Sequence, residues 1–127
     1  MQDLQSPHQT KSLFVFHNYL KYFERARTEC LRIAGFDFNC LTESDMLFVV
    51  HSANVRYLRP ARMDDALDVT ARISKIGRTF VLFEQTVMKE GAIMCEGEIK
   101  VACVSISKNK PCAMPGALRS SFRKFES

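Results

Sequence analysis

The chain has 127 residues, 46% of them hydrophobic and 25% charged, with a formal net charge of +4 at pH 7. These values are ordinary for a single globular domain, so we treat residues 1–127 as one domain. No apolar run approaches the ~18 residues of a membrane span, and the N-terminus lacks the pattern of a signal peptide. The mild positive charge fits an anionic small-molecule ligand as well as nucleic acid, and it does not distinguish between these two kinds of partner.

The cysteine and histidine residues give no sign of a disulfide framework or a metal site. The five cysteines are odd in number, and no two are spaced C-x-x-C. The three histidines are scattered along the chain at His8, His17 and His51. We therefore predict reduced thiols, no bound metal and a cytoplasmic location.

Residues 18–35 carry the pattern of the one long amphipathic helix. Apolar positions recur at helical spacing, and a second set of positions, which includes Arg27, widens the stripe. The stripe consists of Tyr19, Phe23, Ala26, Cys30 and Ile33. Asn18 is a suitable N-cap, and Gly35 supplies a left-handed stop. Before this helix, residues 1–12 are predicted to be an irregular N-terminal arm, and residues 13–16 to be a strand fragment or an entry into the core.

The rest of the chain is predicted to be mostly strand. Residues 36–45 indicate a loop with a short helical turn. Alternating or β-rich segments follow at residues 47–58, 67–74, 80–88 and 93–106. Residues 117–125 could form one or two helical turns. Short turns favour antiparallel pairing, and the helix is the available cover for the apolar face of the sheet. We predict an α+β fold in which an antiparallel sheet wraps around one long central helix, with leftover edges that favour oligomers.

The segment NYLKYFERARTE at residues 18–29 resembles the N-Y-L-x-F-x-E-R-A-R-T-E signature of Tol–Pal-associated acyl-CoA thioesterases. These bacterial proteins are related to the 4-hydroxybenzoyl-CoA thioesterases. Further matches in the same order lie at residues 48–50, 57–65, 83–85, 100–104, 110–111 and 114–115. The resemblance implies a hotdog fold, a homodimer that often pairs into a homotetramer, and hydrolysis of acyl- or aroyl-CoA thioesters without a metal or cofactor.

The segment before this signature departs from the family, which places a catalytic Asp there and a His near the helix start. Aligned on Asn18 without a gap, the family's Asp falls on Gln9 and its His on Phe16. A one-residue deletion brings the His onto His17 and the Asp onto Thr10. Neither alignment supplies a carboxylate, so this chain lacks the family's acid.

Three residues are candidates for thioester chemistry, which needs a partner for the oxyanion and a nucleophile or base. The backbone amides at Asn18 would donate to the carbonyl oxygen if the helix begins there. His17 could bind the carbonyl or relay a proton, and the alternative is a histidine that simply precedes the cap. Glu24 matches, by resemblance, a helix carboxylate that a second hotdog class uses as base or nucleophile; the alternative is a structural ion pair.

Two basic clusters are candidates for binding the phosphates of CoA. Arg59 and Arg62 flank a proline, whereas Lys75 and Arg78 flank Gly77, whose backbone amides could approach a phosphate. Either cluster could equally be solvated charge in a turn.

The sequence therefore predicts an acyl-CoA thioesterase. The rival prediction is a catalytically impaired hotdog oligomer that binds CoA, acyl carrier protein or a partner in envelope biogenesis. A nucleic-acid-binding module is the weakest reading, because the sequence has neither a one-sided Lys/Arg stripe nor exposed aromatics.

Overall fold

The computed structural model describes residues 7–62 and 65–125, with side chains from residue 19 onward. The helices are α1 (Pro7–Ile33), α2 (Phe38–Glu43) and α3 (Gly116–Phe122), the last followed by a 3₁₀ turn at Arg123–Phe125. The strands are β1 (Met46–Tyr57), β2 (Asp68–Ile76), β3 (Phe80–Lys89), β4 (Ala92–Ser105) and β5 (Lys110–Pro111).

The strands form one antiparallel sheet in the order β1-β4-β3-β2, with the short β5 also paired to β4. At one end of the sheet lie the start of β1 and the β2–β3 turn. At the opposite end lie the end of β1 and the start of β2. Among the described strands, β1 and β2 are the outer ones. This arrangement confirms the predicted α+β class with an antiparallel sheet, and adds a fifth strand.

Helix α1 packs on one face of the sheet because alternate strand residues present apolar side chains to it. On β3 the inward positions are the apolar Val81, Phe83 and Val87 and the polar Gln85, all buried. On the helix, Tyr19 and Phe23 are almost completely buried. A Cβ atom added to Gly97 of β4 would lie 3.0 Å from the Phe23 ring, so glycine allows the helix to approach closely here.

The predicted start of the long helix is wrong, whereas its predicted stop is confirmed. Helix α1 begins at Pro7 rather than at Asn18, so residues 7–12 are helical instead of irregular and residues 13–16 are not strand. Residues 1–6 of the predicted arm lie outside the described residues. At the other end, Gly35 adopts a positive φ of 89°, as expected for a residue that ends a helix.

The C-terminal segment completes the core beside α1. Met114, Leu118 and Phe122 are buried, and the Phe122 ring meets the ring of Phe48 edge to face at 6.0 Å between centroids. This confirms the helical turns predicted near the end of the chain. None of the helices in the part of the chain described here is long and apolar enough to cross a membrane.

Candidate active site

A cavity of about 140 Å³ lies between α1 and the sheet. Its polar side is a single face of the helix, formed by Glu24, Arg27 and Thr28 at helical spacing. The remaining lining is apolar and comes from α1, three strands and α3: Leu31, Phe48, Val50, Val81, Phe83, Val101 and Phe122. The cavity thus combines a carboxylate and a guanidinium with an apolar interior, as small-molecule sites commonly do.

Arg27 is held in this cavity by a buried glutamine. Its Nη1 donates to Oε1 of Gln85 at 2.7 Å. The Nε2 of Gln85 donates in turn to the backbone carbonyls of Phe23 at 3.0 Å and Thr70 at 3.4 Å. Gln85 is 1% exposed and lies between β3 and α1, so its buried amide fixes the position of the guanidinium. Burial lowers the pKa of Arg27, and the nearby Glu24 carboxylate partly offsets that effect.

The predicted catalytic residue Glu24 lines the cavity. It stands three residues before Arg27, one helical turn away, and its side chain is exposed. The Thr28 hydroxyl donates a hydrogen bond of 3.0 Å to the backbone carbonyl of Glu24. The Glu24 side-chain carboxylate takes no part in that bond. Glu24 is therefore a carboxylate at the mouth of an apolar cavity, within reach of solvent water.

His17 and Asn18 lie within α1, and their side chains fall outside the described residues. The predicted role of the backbone amides at Asn18, which include that of the next residue, Tyr19, is wrong for this helix. Because α1 begins at Pro7, both amides follow the first turn, where each N–H bonds to the carbonyl four residues earlier. No free helix N-terminus is formed at Asn18, so the backbone amides there are not available to an oxyanion.

The two predicted phosphate-binding clusters lie at opposite ends of the sheet. Arg59 and Arg62 follow the end of β1, and both are exposed. The hydroxyl of Tyr19 donates to the Arg59 carbonyl at 2.8 Å, so this cluster lies beside α1 on the side that leads back to His17. Lys75 and Arg78 lie at the β2–β3 turn, about 30 Å away along the nine residues of β2. One chain does not bring the two clusters together.

The expectation that Gly77 offers a free amide is wrong. Its N–H donates to the Phe80 carbonyl at 2.8 Å and closes the β2–β3 turn. A Cβ added at Gly77 would lie 2.2 Å from the Phe80 ring, so that ring covers the glycine. The same ring has the Nζ of Lys100 at 4.4 Å and the Nζ of Lys75 at 5.9 Å from its centroid. The surface at this turn is cationic and aromatic, without an amide cradle.

None of the five cysteines is joined to another by a disulfide. The Sγ atoms of Cys103 and Cys112 lie 3.6 Å apart, and burial raises the pKa of Cys103 to about 12. Within the described part of the chain, no group of three or more His, Cys, Asp or Glu side chains is placed to hold a metal ion.

Residues 16–96 match the thioesterase superfamily. The chain belongs to this superfamily. It is 39% identical over 114 residues to the acyl-CoA thioesterase YbgC of Haemophilus influenzae, a match that covers 88% of this chain and 84% of that one. It is 36% identical over 112 residues to the acyl-CoA thioester hydrolase YbgC of Escherichia coli O6:H1, covering 87% and 84%.

A solved structure of a probable thioesterase from Bartonella henselae superposes with a TM-score of 0.72 at 29% sequence identity. The match covers 77% of this chain and 82% of that chain. This neighbour and the superfamily match confirm the hotdog fold and the thioesterase resemblance that the helix signature predicted.

Sequence reasoning did not identify Arg27 and Gln85 as site residues. Both carried a signal that was visible in the pattern. Arg27 is a charged residue among the positions that widen the apolar stripe of α1. Gln85 is a polar residue in phase with the buried positions of β3. A polar side chain at a core position needs a partner, and these two residues partner each other.

Proposed function

We propose that this protein hydrolyses an acyl-CoA thioester to the free acid and CoA, with Glu24 as the general base. The observation that carries the proposal is the position of the Glu24 carboxylate at the mouth of the apolar cavity beneath α1. Membership of the thioesterase superfamily and identities of 36–39% to acyl-CoA thioesterases support the reaction class.

In the proposed reaction the acyl group occupies the cavity and the thioester carbonyl lies at its mouth. Glu24 takes a proton from water as the water oxygen attacks the carbonyl carbon. The resulting oxyanion collapses, the C–S bond breaks, and the CoA thiolate takes up a proton. Glu24 is the carboxylate that this chain offers in place of the acid missing at Gln9 and Thr10. His17, on the same helix, completes the proposed set as the group that binds the carbonyl or relays the proton.

Arg59 and Arg62 are the proposed contacts for the phosphates of CoA, because they lie at the end of the sheet to which the N-terminal part of α1 leads. Lys75 and Arg78 lie at the opposite end of the sheet. They would contact the phosphates of a CoA molecule that is bound mainly by another subunit. The outer strand β1 supports a homodimer or homotetramer, since it exposes Val49 and Val50 and has a free edge among the described strands. A cytoplasmic location follows from the proposed substrate.

The test is release of the free acid from a panel of acetyl-, hexanoyl-, benzoyl- and palmitoyl-CoA, followed by chromatography. Chromatography is preferable to a thiol reagent, because the partly exposed Cys40 and Cys112 would react with that reagent. We expect Glu24→Gln to lower kcat about 100-fold or more, as expected for loss of a general base. Glu29→Gln is the matched control, since Glu29 lies on the same helix, pairs with Arg32 and lines a different cavity. Equal activity of the wild type and Glu24→Gln would refute the role of Glu24.

A second function is favoured by the missing acid and by the absence of a helix N-terminus at Asn18. In this alternative the oligomer binds CoA or acyl carrier protein without turnover. Tight binding of CoA or acyl carrier protein, combined with no acid release from any member of the panel, would support this function and refute the enzyme.

A further inference from the structure

Arg27 is a partly buried cation that has a neutral partner. A guanidinium carries five N–H donors, and the one hydrogen bond seen here goes to the amide oxygen of Gln85. No described carboxylate forms an ion pair with Arg27. Glu24 lies near this cation but forms no direct ion pair with it. The guanidinium therefore keeps donors for a further anion, and guanidinium groups bind carboxylates with paired, charge-assisted hydrogen bonds.

The cavity beside Arg27 limits the size of that anion. Its volume of about 140 Å³ is close to the ~150 Å³ of an engineered apolar cavity that accepts benzene. The walls contributed by the strands are valine and phenylalanine side chains such as Val50, Val101 and Phe83. The space within this one chain therefore suits one aromatic ring or an aliphatic chain of about six carbons.

From this juxtaposition we propose that the cavity binds a small carboxylic acid, with the carboxylate on Arg27 and an apolar body of one ring or a short chain among the strand side chains. Gln85 is the positioning residue, because its amide holds the guanidinium towards the cavity. This inference rests on the proposed function only where it identifies the bound acid as the product of hydrolysis. If the protein hydrolyses short-chain or aroyl-CoA thioesters, the same acid acts as its competitive inhibitor.

Glu24 provides an internal check on the electrostatics. Its carboxylate lines the same cavity and repels a bound anion. Neutralising Glu24 should therefore tighten the binding of the acid, whereas loss of Arg27 should weaken it. If Arg27 only connects α1 to Gln85 and binds no ligand, neither substitution should change the binding of the acid.

The experiment measures binding of benzoate and hexanoate to the wild-type protein by titration calorimetry, beside their neutral isosteres benzamide and hexanamide. We expect each acid to bind at least about tenfold more tightly than its amide, as a charged hydrogen-bonded pair requires. Equal affinities for acid and amide would overturn the inference without any variant.

Variants locate the site. We expect Arg27→Met to lose the preference for the acid, Arg27→Lys to retain part of it, and Glu24→Gln to increase it. Arg25→Met is the matched control, because Arg25 lies on the same helix and lines a different cavity. Retention of the full acid preference in a folded Arg27→Met protein would overturn the proposal.

The outcomes separate this inference from the proposed function. Arginine-dependent acid binding without any acyl-CoA hydrolysis supports the site and refutes the enzyme. Hydrolysis of acyl-CoA without a preference for acid over amide supports the enzyme and refutes the site.

Discussion

The hydroxyl of Tyr19 donates a hydrogen bond of 2.8 Å to the backbone carbonyl of Arg59. The bond joins α1 to the connection between β1 and β2, forty residues further along the chain. Tyr19 is also stacked against Tyr57 with ring centroids 6.4 Å apart. The phenol thus fixes the position of a candidate phosphate-binding residue relative to the helix that carries Glu24.

Tyr19→Phe is expected to lower the free energy of unfolding by about 1–2 kcal/mol, because it leaves the Arg59 carbonyl without this donor. Urea unfolding followed by circular dichroism measures the change. Tyr22→Phe is the control, since its hydroxyl has no hydrogen-bond partner among the described residues. An equal loss of stability in the two variants would contradict the importance of this bond.

The stability of the fold is expected to fall at alkaline pH, in part through Tyr19. Burial, followed by the charge of Cys95, raises the pKa of Tyr19 to about 12 from 10.0. Between these pH values the unfolded phenol loses its proton while the folded one keeps it, so the unfolded state is favoured as pH rises. Unfolding free energies measured from pH 9 to 12 should decline less steeply in Tyr19→Phe than in the wild type. Parallel declines would show that other groups account for the effect.

Gln85→Met is expected to destabilise the protein by about 1–3 kcal/mol, because it removes the hydrogen-bond acceptor of the partly buried Arg27 guanidinium. A double-mutant cycle with Arg27→Met should show that the two losses are not additive, with a coupling of about 1–2 kcal/mol. The same cycle with Arg25→Met should be additive, since Arg25 lies on another flank of the helix. Additivity in both cycles would refute the coupling between Arg27 and Gln85.

Gly77→Ala is expected to destabilise the protein by about 1–3 kcal/mol, because the new methyl group would displace the Phe80 ring. A Cβ atom at this position lies 2.2 Å from that ring. In a Phe80→Ala background the same substitution should cost little, because the obstructing ring is gone. Thermal unfolding of the four proteins tests this, and an equal cost in both backgrounds would contradict it.

The fold was predictable from the sequence because its signals are local and repeated. The alternation in β2, β3 and β4 and the helical stripe from Tyr19 to Ile33 each follow from burial of one face. The start of the helix was predicted wrongly, because Asn18 has the chemistry of an N-cap and so do residues further upstream. Ser6 followed by Pro7 is itself typical of a helix start, and α1 begins at that proline.

The site was predictable only in part. Glu24 was identified from its place in the signature, and it lines the cavity. The pairing of Arg27 with Gln85 spans 58 residues and depends on how α1 lies over β3, which no spacing rule encodes. The separation of the two basic clusters likewise follows from the direction of β2, because a strand places its two ends at opposite ends of the sheet.

Because the thiols of Cys103 and Cys112 are neighbours, the number of free thiols measured in a sample depends on how far this pair has been oxidised during storage. Their Sγ atoms are 3.6 Å apart. A disulfide between them needs a two-electron oxidant such as a hydroperoxide, and the burial and raised pKa of Cys103 make that oxidation slow. A fully reduced preparation would titrate five thiols in denaturant, the number of cysteines in the chain. An aged one that has closed this pair would titrate two fewer.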